Sequence, residues 1–170
     1  DFFSFLKNKQ AEIMELSTAE IIKAVKISCQ IKAKVVEKDE REEGLRAILN
    51  YGHTIGHSLE AVTNYEQYRH GEAVAIGMAA AARIAHKLEM ITAQEVEAQE
   101  DLIASFGLPI RFESLDNDQI IKALTKDKKV KNGVIRFILA DQIGEVRILS
   151  DISEKIIKEV SGNNDDYQPL

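Results

Sequence analysis

"HGEAVAIGMAAAARIAHKL", residues 70–88, reads as a buried helix, apolar from Ala73 to Ala85 apart from Arg83. Gly77 and the alanines give it a low profile, so another helix can approach closely, although the glycine costs about 1 kcal/mol of helix propensity. The run is too short to span a bilayer and carries Arg83 within it. Upstream, residues 45–63 read as a helix holding His53, His57 and Glu60 along one face. Before that, "STAEIIKAVKISCQIKAKVVEKDE" opens on Ser17 and Glu20 as a capping box. Its apolar positions Ile22, Val25, Cys29 and Val36 fall at helical spacing, and Gly44 with the charged run 37–43 interrupts it. "DFFSFLKN" suits a short amphipathic turn or helix. Downstream, Thr92 and Glu95 cap a helix that stops at Gly107, with Pro109 just beyond. "DNDQIIKALTKDKK" predicts a short helix running into a basic loop, and "VIRFILA" and "EVRIL", separated by "DQIG", predict a β-hairpin. "DISEKIIKEV" is a last helix. The expected fold is mainly α: one multi-helical domain over 1–162 with a small hairpin near the C-terminus, and a flexible tail over 163–170.

The chain has 170 residues and a formal net charge of −6. No basic stripe is available to displace counterions, which argues against nucleic acid as a partner. A small anionic substrate remains compatible, because a few local cations outweigh the global sign. A single cysteine, Cys29, excludes an internal disulfide and fits a reducing compartment. Neither a membrane span nor a signal peptide is visible, so the expected location is cytoplasmic. The chain starts on Asp1 rather than Met, and it is expected to be a fragment.

Three of the four histidines, His53, His57 and His70, stand within eighteen residues of sequence. Helical positions i and i+4 project side by side, so His53 and His57 can address one point. Two imidazoles and a third from another helix make a catalytic metal site, commonly with a carboxylate co-ligand. A lone histidine is more often a satisfied group in a helical core. Three of them beside Gly52, Gly56 and Gly71, read as close-packing glycines, favour the metal. His86 is read as a surface or groove residue. Glu60 and Glu72 both stand near enough in sequence to complete a site or to form a salt bridge, and the residues alone leave that choice open. No HExxH is present, so a zinc-protease reading lacks its base. Arg46, Asn50 and His53 fall at i, i+4 and i+7, a stripe suited to a polyhydroxylated or phosphorylated anion. Lys128, Lys129 and Lys32 would add positive charge.

Over "KAKVVEKDEREEGLRAILNYGHTIGHSLEAV" and "YRHGEAVAIGM" the chain resembles the C-terminal domain of the 3-dehydroquinate synthase family. "GLP" (107–109), "DKK" (127–129) and "IRFILADQIGEV" (135–146) match its later signatures. The resemblance runs from about residue 21 to 150 and is densest over 32–78. It implies a helical domain that joins an N-terminal NAD-binding domain, absent here, with the active site in the cleft between them. It implies a divalent metal, zinc or cobalt, held by a Glu and two histidines, which by position are His53 and His70. His57 then faces substrate. "AEIIK" (19–23) resembles the family's Glu ligand motif, but Glu20 stands only twelve residues before Lys32, where the family inserts a further helix. The ligand Glu is therefore expected upstream of Asp1, and "AEIIK" is an ordinary capping box.

The resemblance implies conversion of 3-deoxy-D-arabino-heptulosonate 7-phosphate into 3-dehydroquinate and phosphate, a step of the shikimate pathway. NAD transiently oxidises a ring hydroxyl, phosphate leaves by β-elimination, the ketone is reduced again, and the ring opens and closes as an aldol. Carried over by position, Lys32, Arg46 and Asn50 contact substrate, His57 relays protons or contacts phosphate, and one of Lys128 and Lys129 reaches the carboxylate or phosphate. Glu42 matches an acidic position near the metal. The parent protein is expected as a possible homodimer and the isolated piece as inactive. Related sugar-phosphate cyclases and metal-dependent polyol dehydrogenases share the scaffold and are the alternatives.

Overall fold

The computed structural model describes residues 2–40, 44–112, 117–130, 135–150 and 152–161. The expected tail over 163–170 and the basic loop after Val130 lie outside the described residues. The chain divides into two compact units, 1–49 and 50–170.

The first unit is a run of helices: α1 (Phe2–Asn8), α2 (Gln10–Met14) and α3 (Thr18–Lys38), followed by a 3-10 helix at Leu45–Asn50. The Lys23 ammonium lies 4.5 Å from the Phe5 ring centre, fastening α3 to α1 by a cation–π contact. The capping box expected at the start of α3 does not form, because the Ser17 side chain makes no cap hydrogen bond. Leu16 takes a left-handed φ of 61°, and the Ser17 N–H donates to the Glu12 carbonyl at 2.9 Å. The donor that Glu20 would have satisfied is therefore already used. Ile22 and Val25 are 61% and 56% exposed and Cys29 is exposed, so of the four apolar positions at helical spacing only Val36 is half-buried. Asp39 ends α3. Its carboxylate accepts the backbone N–H groups of Gly44 at 2.9 Å and Arg46 at 2.8 Å, which sets the entry to the 3-10 helix.

The second unit is built around α5 (His70–Lys87), as its apolar sequence predicts. α4 (His53–Val62), α6 (Ala93–Ser105), α8 (Glu154–Ser161) and the first strand of the hairpin all pack on α5, and α7 (Asn117–Val130) packs on α4 and α8. Ile55, Leu59, Ile76, Ile84, Phe137 and Ile157 fill the centre at 2% exposure or less. Burial of each such side chain stabilises by about 1.5–3 kcal/mol. α6 carries its predicted cap: Glu95 accepts the Thr92 N–H at 2.9 Å, and Thr92 Oγ1 accepts the Glu95 N–H at 3.3 Å. α7 continues through Val130, so Lys128 and Lys129 fall in its last turn.

β1 (Arg136–Gln142) and β2 (Glu145–Ser150) form an antiparallel hairpin running from Arg136↔Ser150 to Gln142↔Glu145. Asp141 and Gln142, read as linker, extend β1 through a bulge after Ala140, so only Ile143 and Gly144 turn the chain. Gly144 sits at φ 100°, a conformation that only glycine adopts freely. Phe137–Ala140 is buried, and the Thr54 hydroxyl donates to the Arg136 carbonyl at 2.9 Å, tying the hairpin to the start of α4.

The single helix expected over 45–63 is broken. Asn50 ends the 3-10 helix, and Gly52 at φ 82° turns the chain into α4. A Cβ at Gly52 would stand 2.7 Å from both the Met78 nitrogen and the Val74 oxygen. Gly77 is as tight: a Cβ there would run into the Gly52 carbonyl. These two glycines let α4 start directly against α5. Gly56 also packs closely, with Ala73 O 3.0 Å from its would-be Cβ, whereas Gly71 has nothing within 4 Å and is not a packing glycine.

Candidate metal centre

The break at Gly52 starts α4 at His53, and the loop after Val62 brings the chain back so that α5 starts at His70. The first residues of two packed helices therefore stand together. The ring centres of His53 and His57 are 5.3 Å apart, those of His53 and His70 5.4 Å, and those of His57 and His70 5.7 Å. The imidazoles expected from sequence to converge do so.

Glu60, one turn beyond His57 on α4, lies beneath them. One carboxylate oxygen is 2.8 Å from His57 Nδ1 and the other is 3.0 Å from His70 Nδ1. Its side chain is 7% exposed, whereas those of His57 and His70 are each 58% exposed. The cluster is thus a buried acid under two open rings. Burial pushes the Glu60 pKa up, but the hydrogen bonds and charges of His57 and His70 outweigh it and hold the carboxyl below its ordinary 4.5. His53 Nδ1 lies 3.3 Å from the Tyr51 carbonyl. That oxygen only accepts, so Nδ1 carries the hydrogen and Nε2 is left free to ligate. A nitrogen of His57, one of His70 and an oxygen of Glu60 lie within 4.8 Å of one another. Nitrogen and oxygen donors of this kind suit zinc or cobalt.

Glu72 does not belong to the cluster. Its carboxylate accepts the Arg69 N–H at 2.8 Å and caps α5. His86 is also apart, its Nδ1 lying 3.0 Å from the Ile91 carbonyl. Lys32 is exposed on α3. Arg46 lies in the 3-10 helix, with its guanidinium 3.3 Å from the Glu40 carbonyl. Asn50 is that helix's exposed last residue. The predicted stripe of Arg46, Asn50 and His53 is therefore not one α-helical face, since Gly52 divides it. Glu42 and the side chains of Lys128 and Lys129 lie outside the described residues. Two residues carry more than the sequence reading gave them. Glu60 is three residues from His57, a spacing that pairs side chains on one helix face, and this is the signal that could have singled it out. Asp39 accepts the Gly44 and Arg46 N–H groups, a role that only the folded backbone reveals.

A mainly helical domain with imidazoles from two helix starts gathered over a buried carboxylate defines a candidate divalent-metal domain. The chain belongs to the family described as 3-dehydroquinate synthase C-terminal, whose model matches residues 1–130. It is 46% identical over 158 residues to a 3-dehydroquinate synthase of Caldanaerobacter subterraneus subsp. tengcongensis, covering 93% of this chain and 44% of that one. It thus spans less than half the length of that relative. Among solved structures, 2-epi-5-epi-valiolone synthase of Streptomyces hygroscopicus, with NAD+ and Zn2+ bound, superposes with a TM-score of 0.83 at 23% identity, over 94% of this chain and 44% of that one. A 2-deoxy-scyllo-inosose synthase, complexed with carbaglucose-6-phosphate, NAD+ and Co2+, superposes at 0.66 with 28% identity, over 76% and 38% of the respective chains.

Proposed function

We propose that this chain is the metal- and substrate-binding domain of a 3-dehydroquinate synthase. In the parent protein it serves the conversion of 3-deoxy-D-arabino-heptulosonate 7-phosphate to 3-dehydroquinate and phosphate. The observation that carries the reading is the convergence of His53, His57 and His70 over Glu60, in a chain that belongs to the synthase C-terminal family. His53 and His70 are the proposed metal ligands from this chain. When bound, a divalent cation would grip the substrate hydroxyl and lower its pKa. His57, open to solvent and held by Glu60, is the group that moves a proton or contacts phosphate. Lys32, Arg46, Asn50 and one of Lys128 and Lys129 are the groups proposed to hold the substrate's anionic ends, and Glu42 is carried over from the family resemblance alone as a further acidic group. Fixing both ends of the substrate holds the breaking bond in the geometry that eliminates.

Residues 1–162 are proposed to act as one helical domain. NAD is proposed to be bound mainly by an N-terminal domain of the parent protein. The described strands form only a two-stranded hairpin, with no parallel βαβ unit to cradle a dinucleotide. No described helix is long and apolar enough to cross a membrane. A cytoplasmic location and a homodimeric parent belong to the same proposal, as does inactivity of the 170 residues alone.

The solved cyclases favour one specific alternative, a related ring-closing enzyme acting on another sugar phosphate. The deciding experiment assays NAD-dependent phosphate release by the full-length protein, from the heptulosonate phosphate and from sugar phosphates that lack a carboxylate. Release from the carboxylated substrate alone is expected. Preference for a sugar phosphate without a carboxylate would overturn the synthase reading, and turnover by the isolated 170 residues would overturn the division of labour.

A further inference from the structure

We propose that Glu60 is a positioning residue that locks the tautomers of both His57 and His70, so that each ring presents Nε2 outward. Each carboxylate oxygen takes one imidazole, at 2.8 Å and 3.0 Å, and both contacts are made through Nδ1. An ionised carboxylate only accepts, so both Nδ1 atoms must carry hydrogen. The lone pair of each neutral ring then lies on Nε2. One acid, 7% exposed beneath two rings that are each 58% exposed, sets two histidines from two different helices. This is the arrangement by which an outer carboxylate orients a metal-binding imidazole and raises its basicity. It also gives His57 a free nitrogen for proton transfer. The inference deepens the proposed metal site by assigning Glu60 to support rather than to ligation. The tautomer claim does not itself depend on a metal.

The substitution that separates this role from simple filling of space is Glu60→Gln, which keeps the shape. A glutamine amide offers one accepting oxygen and one donating nitrogen. It satisfies one Nδ1–H and forces the other ring to accept through Nδ1, inverting that tautomer. The direct measurement needs no variant: nitrogen-15 imidazole spectra of the metal-free protein at alkaline pH, with the rings in their neutral form. Both His57 and His70 are expected as the Nδ1–H form, and one of the two should switch in Glu60→Gln. A wild-type ring with its hydrogen on Nε2, or two unchanged rings in the variant, would overturn the proposal. Titration with zinc alone gives a second readout, with affinity expected to fall about 10–100-fold in Glu60→Gln. Unchanged affinity, or a Glu60 oxygen bonded directly to zinc in a soaked crystal, would also overturn it. If the wild-type tautomers are as stated but the wild-type protein binds no zinc, the metal reading fails and the positioning role stands.

Discussion

His53, His57 and His70 are close enough to act together, yet their hydrogen bonds divide them. His53 leans on the Tyr51 carbonyl, while the other two share Glu60. Substituting His53 or His70 by alanine in the full-length protein is expected to abolish metal-dependent activity, and His57→Ala to leave the metal bound while turnover collapses. His86→Ala should stay near wild type, since its ring lies apart from the cluster, against the Ile91 carbonyl. Steady-state assays beside metal analysis of each purified variant check this, and equal losses at His53, His70 and His86 would contradict the assignment. The sequence carried the histidines and their i, i+4 pairing, because both are local. It left Glu60 and Glu72 as equals. Only the fold separates them, by putting one carboxylate under two rings and the other on the cap of α5.

At the scale of elements, the close start of α4 on α5 depends on glycines of unequal weight. Gly77→Ala would gain helix propensity of up to about 1 kcal/mol but drive a methyl into the Gly52 carbonyl. Because the obstacle is backbone, the clash wins, and a net loss of about 1–3 kcal/mol is expected. Gly71→Ala has open space around it and should be neutral or mildly stabilising. Urea unfolding of the two variants checks the contrast, and similar stabilities would contradict it. The α6 cap gives a pH signature. Backbone hydrogen bonding to Thr92 is the main reason that the Glu95 carboxyl sits below its ordinary 4.5, helped by the Thr92 hydroxyl and the Ile143 backbone against the opposing effect of burial. A lowered folded-state pKa means stability that is present above about pH 4.5 and lost as pH falls through the folded value. Melting temperature against pH should therefore fall less steeply on the acid side in Glu95→Gln, and identical slopes would contradict the cap's role. The cap was legible because four consecutive residues specify it. The break at Gly52 was not, because helical periodicity carries no information about a left-handed residue pressed on Val74 and Met78, more than twenty positions later. Ser17 and Glu20 had the right spacing too, but the preceding turn had already used the Ser17 N–H that the Glu20 carboxylate would accept.

Across residues 50–170, the central helix is held by one buried cation. Arg83, 2% exposed, places Nε 2.6 Å from Glu100 on α6 and sends its other nitrogens to the Ile110 carbonyl at 3.1 Å and the Val160 carbonyl of α8 at 3.4 Å. Arg83→Met would strand the Glu100 charge and the Ile110 and Val160 carbonyls, an expected loss of about 3–5 kcal/mol. Glu100→Gln keeps the shape and should cost less. Chemical denaturation checks both, and a loss under about 1 kcal/mol for Arg83→Met would show that the ion pair is not a structural tie. Mainly α architecture with a C-terminal hairpin could be read from apolar periodicity and turn residues. How residues ten or more apart in sequence meet could not, and the cluster depends on that meeting. Its central claim is tested most directly by anomalous diffraction at the zinc absorption edge from crystals of the full-length protein. A peak about 2.0–2.1 Å from Nε2 of both His53 and His70, beside His57, is the predicted result. A zinc peak at other residues, or none beside these rings at saturating zinc, would contradict it.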